Sequence, residues 1–161
     1  MTAATASIVH AFACKEGNEV KSLYTARATA TKGGRGTGAA ATDDGKVSVK
    51  FSTPREMGGD GGPGTNPDQL FAVAYSGCFL GAMKLGAKRR GETVPDAATM
   101  TAHVSFLDRE DGVGFAIAVT LEGHVPGMPH TKVLELMTAA HDICPYSWAI
   151  RHTVDVQFKA V

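Results

Sequence analysis

The chain has no surplus of charge of either sign: 16 lysines and arginines offset 16 aspartates and glutamates across 161 residues. Without a net field it has no general hold on a polyanion, which sets nucleic acid and anionic membrane surfaces aside as partners. Cysteine is scarce too, with Cys14, Cys78 and Cys144 the only three. A small, odd number does not build the disulfide framework of a secreted domain, so the expectation is a cytoplasmic protein with resting thiols and only transient disulfides. No apolar run approaches the roughly 20 residues needed to span a bilayer, and MTAATASIVHAFACKEG at the amino terminus lacks a basic region before its short apolar patch.

Several functional signatures are also missing. Gly34, Gly36 and Gly38 imitate part of a phosphate loop, but no helix opens after them; the chain runs into the turn Thr42-Asp43-Asp44-Gly45. Tyr75-Ser76-Gly77 is not a Gly-x-Ser-x-Gly elbow, which argues against a serine hydrolase. His141 lies three residues before Cys144, but no third and fourth ligands follow at zinc-like spacing, so neither metal nor cofactor is expected. The remaining histidines are scattered, and there is no internal repeat.

What the sequence does contain is one strongly specified helix, TNPDQLFAVAYSGCFLGAMKLGAKRRG from Thr65 to Gly91. Asn66 suits the N-cap, Pro67 the first helical position and Gln69 the reciprocal position of a capping box, while Lys88-Arg89-Arg90 and Gly91 close it. Between the caps no continuous polar face remains, which predicts a helix buried nearly all round. Cys78 sits in its middle.

Around this helix the pattern alternates in the strand manner at Leu23–Ala30 and Lys46–Ser52, read as paired strands flanking the glycine loop KGGRGTGAAATDDG that carries Arg35. The segment GGDGGPG, residues 58–64, is a loop that delivers the chain to Asn66. Thr99–Leu107 and Val113–Glu122 read as a hairpin, His130 to about Ile143 as a second helix, and Thr153–Ala160 as a closing strand. Residues 1–20 read as an extension of uncertain order and 21–161 as a single α+β domain.

A free cysteine on an apolar helix commonly behaves as a small core hydrophobe with an inert, raised-pKa thiol. A reactive Cys78 needs a cation, and Arg35, with Asp68 as a carboxylate to hold it, is the candidate. Asp68 and Cys78 are ten positions apart, about 15 Å along one helix. Both cannot touch one small site, so a homodimer or a reaching Arg35 must connect them. Cys144, just before Pro145, is either a packed thiol or a resolving thiol for an oxidised Cys78.

The segments GTNPDQLFAVAYSGCFLGAMK (64–84) and AHDICPYSWAIR (140–151), preceded by KGGRGTG (32–38) and VKFSTPREMGG (49–59), closely resemble the organic hydroperoxide resistance proteins of the OsmC/Ohr family. The resemblance runs from about Lys21 to Val161 and includes both cysteine motifs in order. It implies antiparallel sheets packed around two main helices, in an intertwined α+β homodimer with active sites at the interface. It further implies a thiol peroxidase acting on organic or lipid hydroperoxides. Cys78 takes the peroxidatic role, Cys144 the resolving role, Arg35 that of the thiolate-activating arginine and Asp68 that of its acidic partner. The implied reductant is an external dithiol of the lipoyl type, dihydrolipoamide or a lipoylated protein. Two departures stand out: Asp68 where the family has a glutamate, and Trp148-Ala149-Ile150-Arg151-His152 where it has Asn-Ala-Thr-Arg-Gly. They leave room for an alternative, a redox sensor or small hydrophobic-ligand binder that uses the same pocket without turnover.

Overall fold

The computed structural model describes residues 21–161 and, as backbone pairing only, Phe12–Ala13 (β1) with Glu19–Val20 (β2). The reading of residues 1–20 as an extension, and Cys14 within it, otherwise lie outside the described residues. The remaining elements are β3 (Ala28–Thr31), β4 (Ala39–Thr42), β5 (Ser48–Lys50), α1 (Pro67–Arg89), β6 (Thr99–Asp108) and β7 (Phe115–His124). They are followed by α2 (His130–Ile143), α3 (Pro145–Ile150) and β8 (Val156–Ala160), an α+β arrangement with two main helices.

Helix α1 starts where its cap residues dictate. The Gln69 N–H donates to the Asn66 side-chain oxygen at 2.8 Å, with Pro67 at the first position. The Gln69 side chain does not return to the Asn66 backbone as a capping box requires; its oxygen accepts from the Thr65 hydroxyl at 2.7 Å. Gly91 ends the helix at φ 72°, in the left-handed region open to glycine.

The expectation that α1 is buried nearly all round does not hold within one chain. Tyr75, Phe79, Ala82, Met83, Gly86 and Ala87 are buried, but Val73 is 71% exposed and Leu85 42%. The reason is that β6 and α2 cover one side only, leaving outward a stripe at every fourth residue: Val73, Gly77, Gly81 and Leu85. The helix also corrects the view that no segment is long and apolar enough to cross a membrane: by length and composition α1 qualifies. Its buried face gives it the place of a core helix instead.

The core lies between that face, α2 and the sheet β6-β7-β8, and is filled by Tyr75, Phe79, Met83, Leu121, Leu136 and Met137. At Gly123 on β7 an added Cβ would stand 2.9 Å from Met137 Sδ and 3.2 Å from Met100 Cε, so α2 approaches the strand as closely as a missing side chain allows. Hairpin β6–β7 matches its sequence pattern. Strand β8 pairs with β7 in parallel, a correction to the antiparallel sheets expected, because the α2–α3 connection returns the chain in the same direction.

The other sheet corrects a second expectation. The strands at Leu23–Ala30 and Lys46–Ser52, shortened to β3 and β5, do not pair with each other; each pairs antiparallel with β4, whose Ala39–Thr42 had read as part of the glycine loop. Three alanines carry little strand preference, and the ladders on both sides make the strand. This sheet has no substantial packing against α1, α2 or the second sheet, and every residue of β3 is exposed.

Candidate active site

Cys144 occupies the joint between two helices. It ends α2, with its N–H donating to the Ala140 carbonyl at 2.8 Å, and it caps α3 in an extended conformation, φ −67° and ψ 122°. Pro145 cannot continue the α2 ladder, yet its fixed φ suits the first position of a new helix, so one residue stops α2 and starts α3. Short α3, like strand β4, is an element that sequence reasoning missed. The joint places the buried Cys144 sulfur 3.4 Å from Sγ of Cys78, 66 positions earlier on α1. Cys78 is only partly buried, so one thiol of the pair meets solvent and the other does not.

Burial first, then the hydrogen bond with Cys144, push the Cys78 thiol up from the ordinary cysteine value of 9.0. The backbone amide of Tyr146 pulls the other way without prevailing.

A second bridge parallels the first. Tyr75, three residues before Cys78, shares a hydrogen bond of 2.8 Å with Ser147, three residues after Cys144, and both are fully buried. Aromatic rings flank it: Phe71 stacks on Tyr146 with centroids 6.0 Å apart and planes 6° from parallel, while Tyr75 meets Phe79 edge-on at 6.1 Å. The equal three-residue offsets were the signal available in the sequence for Tyr75 and Ser147. Beyond them Trp148 is 68% exposed, with the Arg151 guanidinium 4.5 Å above its ring. Arg151 also donates to Asp142 and to the His141 carbonyl, both at 3.2 Å.

Arg35 and Asp68 form a separate pair. The Arg35 Nη2 donates to Asp68 Oδ2 at 2.9 Å, and its guanidinium lies 4.6 Å from the centre of the Phe106 ring. The aspartate, although one methylene shorter than glutamate, therefore reaches its arginine. Gly38 lets the arginine loop close: a Cβ there would stand 2.4 Å from the Thr31 carbonyl and 2.6 Å from the Gly34 amide. Two open clefts of about 700 Å³ each meet at this pair, bounded by Ala72, Val104, Phe106, Phe115 and Arg109, and the thiols line neither.

The four residues singled out from sequence thus come together two by two, Arg35 with Asp68 and Cys78 with Cys144. The two pairs sit on different stretches of α1, separated by the helix rise of about 15 Å between positions 68 and 78. Among the described residues no three His, Cys, Asp or Glu side chains converge as metal ligands.

The family model described as OsmC-like protein matches residues 58–159. The organic hydroperoxide resistance protein of Xanthomonas axonopodis pv. citri is 47% identical over 136 residues, covering 84% of this chain and 93% of that protein. The crystal structure of the organic hydroperoxide resistance protein OhrB of Bacillus subtilis superposes with a TM-score of 0.78 at 38% identity, over 87% of this chain and 100% of that one. An organic hydroperoxide resistance protein from Legionella pneumophila gives 0.79 at 37% identity, over 87% and 98%. With sequence and fold in agreement, the chain belongs to the organic hydroperoxide resistance branch of the OsmC/Ohr family.

Proposed function

We propose that the protein is a cytoplasmic, cysteine-based peroxidase that reduces organic and lipid hydroperoxides to alcohols. The carrying observation is the thiol pair at 3.4 Å, with Cys78 partly open and Cys144 buried behind it. The Cys78 thiolate attacks the terminal peroxide oxygen, the O–O bond breaks, and with one proton the alcohol departs, leaving a sulfenic acid. The Cys144 thiol then attacks that sulfur; its proton and the sulfenic hydroxyl leave as water as the disulfide forms. An external dithiol, of the lipoyl type in line with the family resemblance, exchanges with the disulfide and restores both thiols. Apolar walls favour alkyl over hydrogen peroxides, at about 0.8 kcal/mol for each methylene buried.

The working unit in this reading is an intertwined homodimer. Among the described residues no cation lowers the Cys78 thiol, and Arg35 is paired with Asp68. The sheet β3-β4-β5 and the α1 stripe both lie uncovered, and an isolated three-stranded sheet rich in alanine and threonine has little to hold it. A second copy supplies the missing cover and sets the partner's Arg35 against Cys78. These observations support the dimer by what one chain leaves incomplete.

The raised Cys78 thiol favours one competitor, a redox sensor that reacts once and slowly, or a ligand-binding protein using the same pocket. Steady-state consumption of cumene hydroperoxide with saturating dihydrolipoamide separates them. The peroxidase turns over many equivalents, Cys78→Ser abolishes consumption, and Cys144→Ser allows one oxidation without cycling. A wild-type protein that stops after about one equivalent, or a Cys78→Ser variant with full turnover, overturns the proposal.

A further inference from the structure

The disulfide-forming step requires more of the fold than a pair of sulfurs in contact. When Cys78 becomes a sulfenic acid its sulfur gains an oxygen, and the hydrogen bond that linked the two thiols is lost in the form seen at 3.4 Å. If that were the only tie between α1 and the α2–α3 joint, oxidation would loosen the geometry at the moment Cys144 must strike. The tie that oxidation leaves untouched is the bridge from Tyr75 to Ser147, 2.8 Å long and fully buried at both ends. It spans the same two elements, one turn before Cys78 on α1 and one turn after Cys144 on α3.

We propose that the Tyr75–Ser147 hydroxyl bridge is the positioning device of the resolving step, holding the segment that carries Cys144 against an oxidised Cys78. This rests on the peroxidatic and resolving roles proposed above. Two further observations accord with it. Burial, the largest influence on it, holds the Tyr75 hydroxyl protonated, so the bridge stays a hydroxyl–hydroxyl hydrogen bond throughout the cycle. The Phe71–Tyr146 stack and the Tyr75–Phe79 contact close the sides, so the bridge has no water to exchange with.

The bridge acts on a competition. A Cys78 sulfenic acid either meets Cys144, giving disulfide and water, or meets a second hydroperoxide, giving sulfinic acid and a second alcohol. Loosening the bridge slows the first route and leaves the second dependent only on peroxide concentration. Tyr75→Phe and Ser147→Ala each leave a buried hydroxyl without its partner, and both are expected to raise the ratio of sulfinic acid to disulfide about tenfold at fixed peroxide excess.

The experiment follows intact mass and dimedone trapping after graded additions of cumene hydroperoxide to wild type, each single variant and the Tyr75→Phe/Ser147→Ala double variant. Thermal melting is measured in parallel. The double variant removes the orphaned hydroxyl, so its melting temperature recovers toward wild type while its sulfinic ratio stays high. A ratio in the variants that equals wild type, or that tracks melting temperature across the series, overturns the inference and makes the bridge merely structural. Absence of a Cys78–Cys144 disulfide in wild type at one equivalent overturns instead the roles on which the inference stands.

Discussion

Replacing Arg35 by methionine tests the proposed assembly at its chemical centre. The substitution keeps length and apolar bulk beside Phe106 but removes the charge that Asp68 holds at 2.9 Å. Among the described residues of one chain, burial and the Cys144 hydrogen bond push the Cys78 thiol above the ordinary 9.0, and in the proposed dimer the lowering comes from the partner's Arg35. A guanidinium within about 4–6 Å of a thiolate lowers its pKa by about 1–3 pH units. Removing it therefore moves the titration midpoint up by the same amount, and near neutral pH the thiolate fraction falls about 10- to 1,000-fold. The reaction with hydroperoxide falls in proportion, because the thiolate is the nucleophile. The assay is the rate of iodoacetamide alkylation across pH, read at the Cys78 peptide so that buried Cys144 does not contribute. Circular dichroism and mass of the assembly serve as controls for fold and association. If Arg35→Met alkylates with the wild-type midpoint, no guanidinium reaches the sulfur and the split-site dimer is refuted. The Arg35–Asp68 ion pair is partly exposed, so its loss costs about 1 kcal/mol of stability or less, too little to explain a large rate loss by unfolding.

Two further predictions concern the scaffold. Gly123→Ala drives a methyl to 2.9 Å from Met137 Sδ; the flexible thioether yields in part, so the cost is about 1–2 kcal/mol and calorimetry should show a melting temperature several degrees lower. An unchanged melting temperature would mean that α2 does not sit as close to β7 as described. For His141, burial first and then the like charge of Arg151 hold the imidazole below its ordinary 6.5. The unfolded chain takes up that proton near pH 6.5 while the folded chain resists it, so this contribution is complete above 6.5 and is lost as pH falls through the lower folded value. Melting curves between neutral and mildly acid pH should fall on the acid side for wild type and fall less for His141→Gln; parallel curves would remove His141 from the account.

The legible parts of the fold were those where local signals agree. Asn66, Pro67 and Gly91 mark α1, and the three-to-four-residue spacing of Val133, Leu134, Met137, Ala140 and Ile143 marks α2, because caps and periodicity are written in neighbouring residues, although Leu136 rather than Leu134 is the buried leucine. Strand β4 was hidden because three alanines and a threonine acquire strand geometry only from ladders on either side. The parallel course of β8 was likewise invisible, since strand direction is fixed by how α2 and α3 return the chain. At the site, each pair was legible as chemistry: cysteines in an apolar setting, a guanidinium in a glycine loop, a carboxylate at a helix start. Helix rise separated Asp68 from Cys78, while the pairing of Cys78 with Cys144 came from the family resemblance. The Tyr75–Ser147 bridge was not read, because the equal three-residue offsets from the two cysteines gain a meaning only once α3 turns across α1.

Helix α1 carries Asp68 in its first turn and Cys78 near its middle, and a helix is too stiff to bring them together. In the proposed dimer every catalytic centre is therefore assembled from two copies, which gives the protein an unusual genetics. A subunit lacking Cys78 and a subunit lacking Arg35 are each inert when paired with their own kind. Paired with each other they lose one centre completely and rebuild the other in full, since the intact cysteine of one copy meets the intact arginine of its mate. Two defective alleles in one cell then complement, and an allele damaged at both positions poisons both centres of any dimer that it joins.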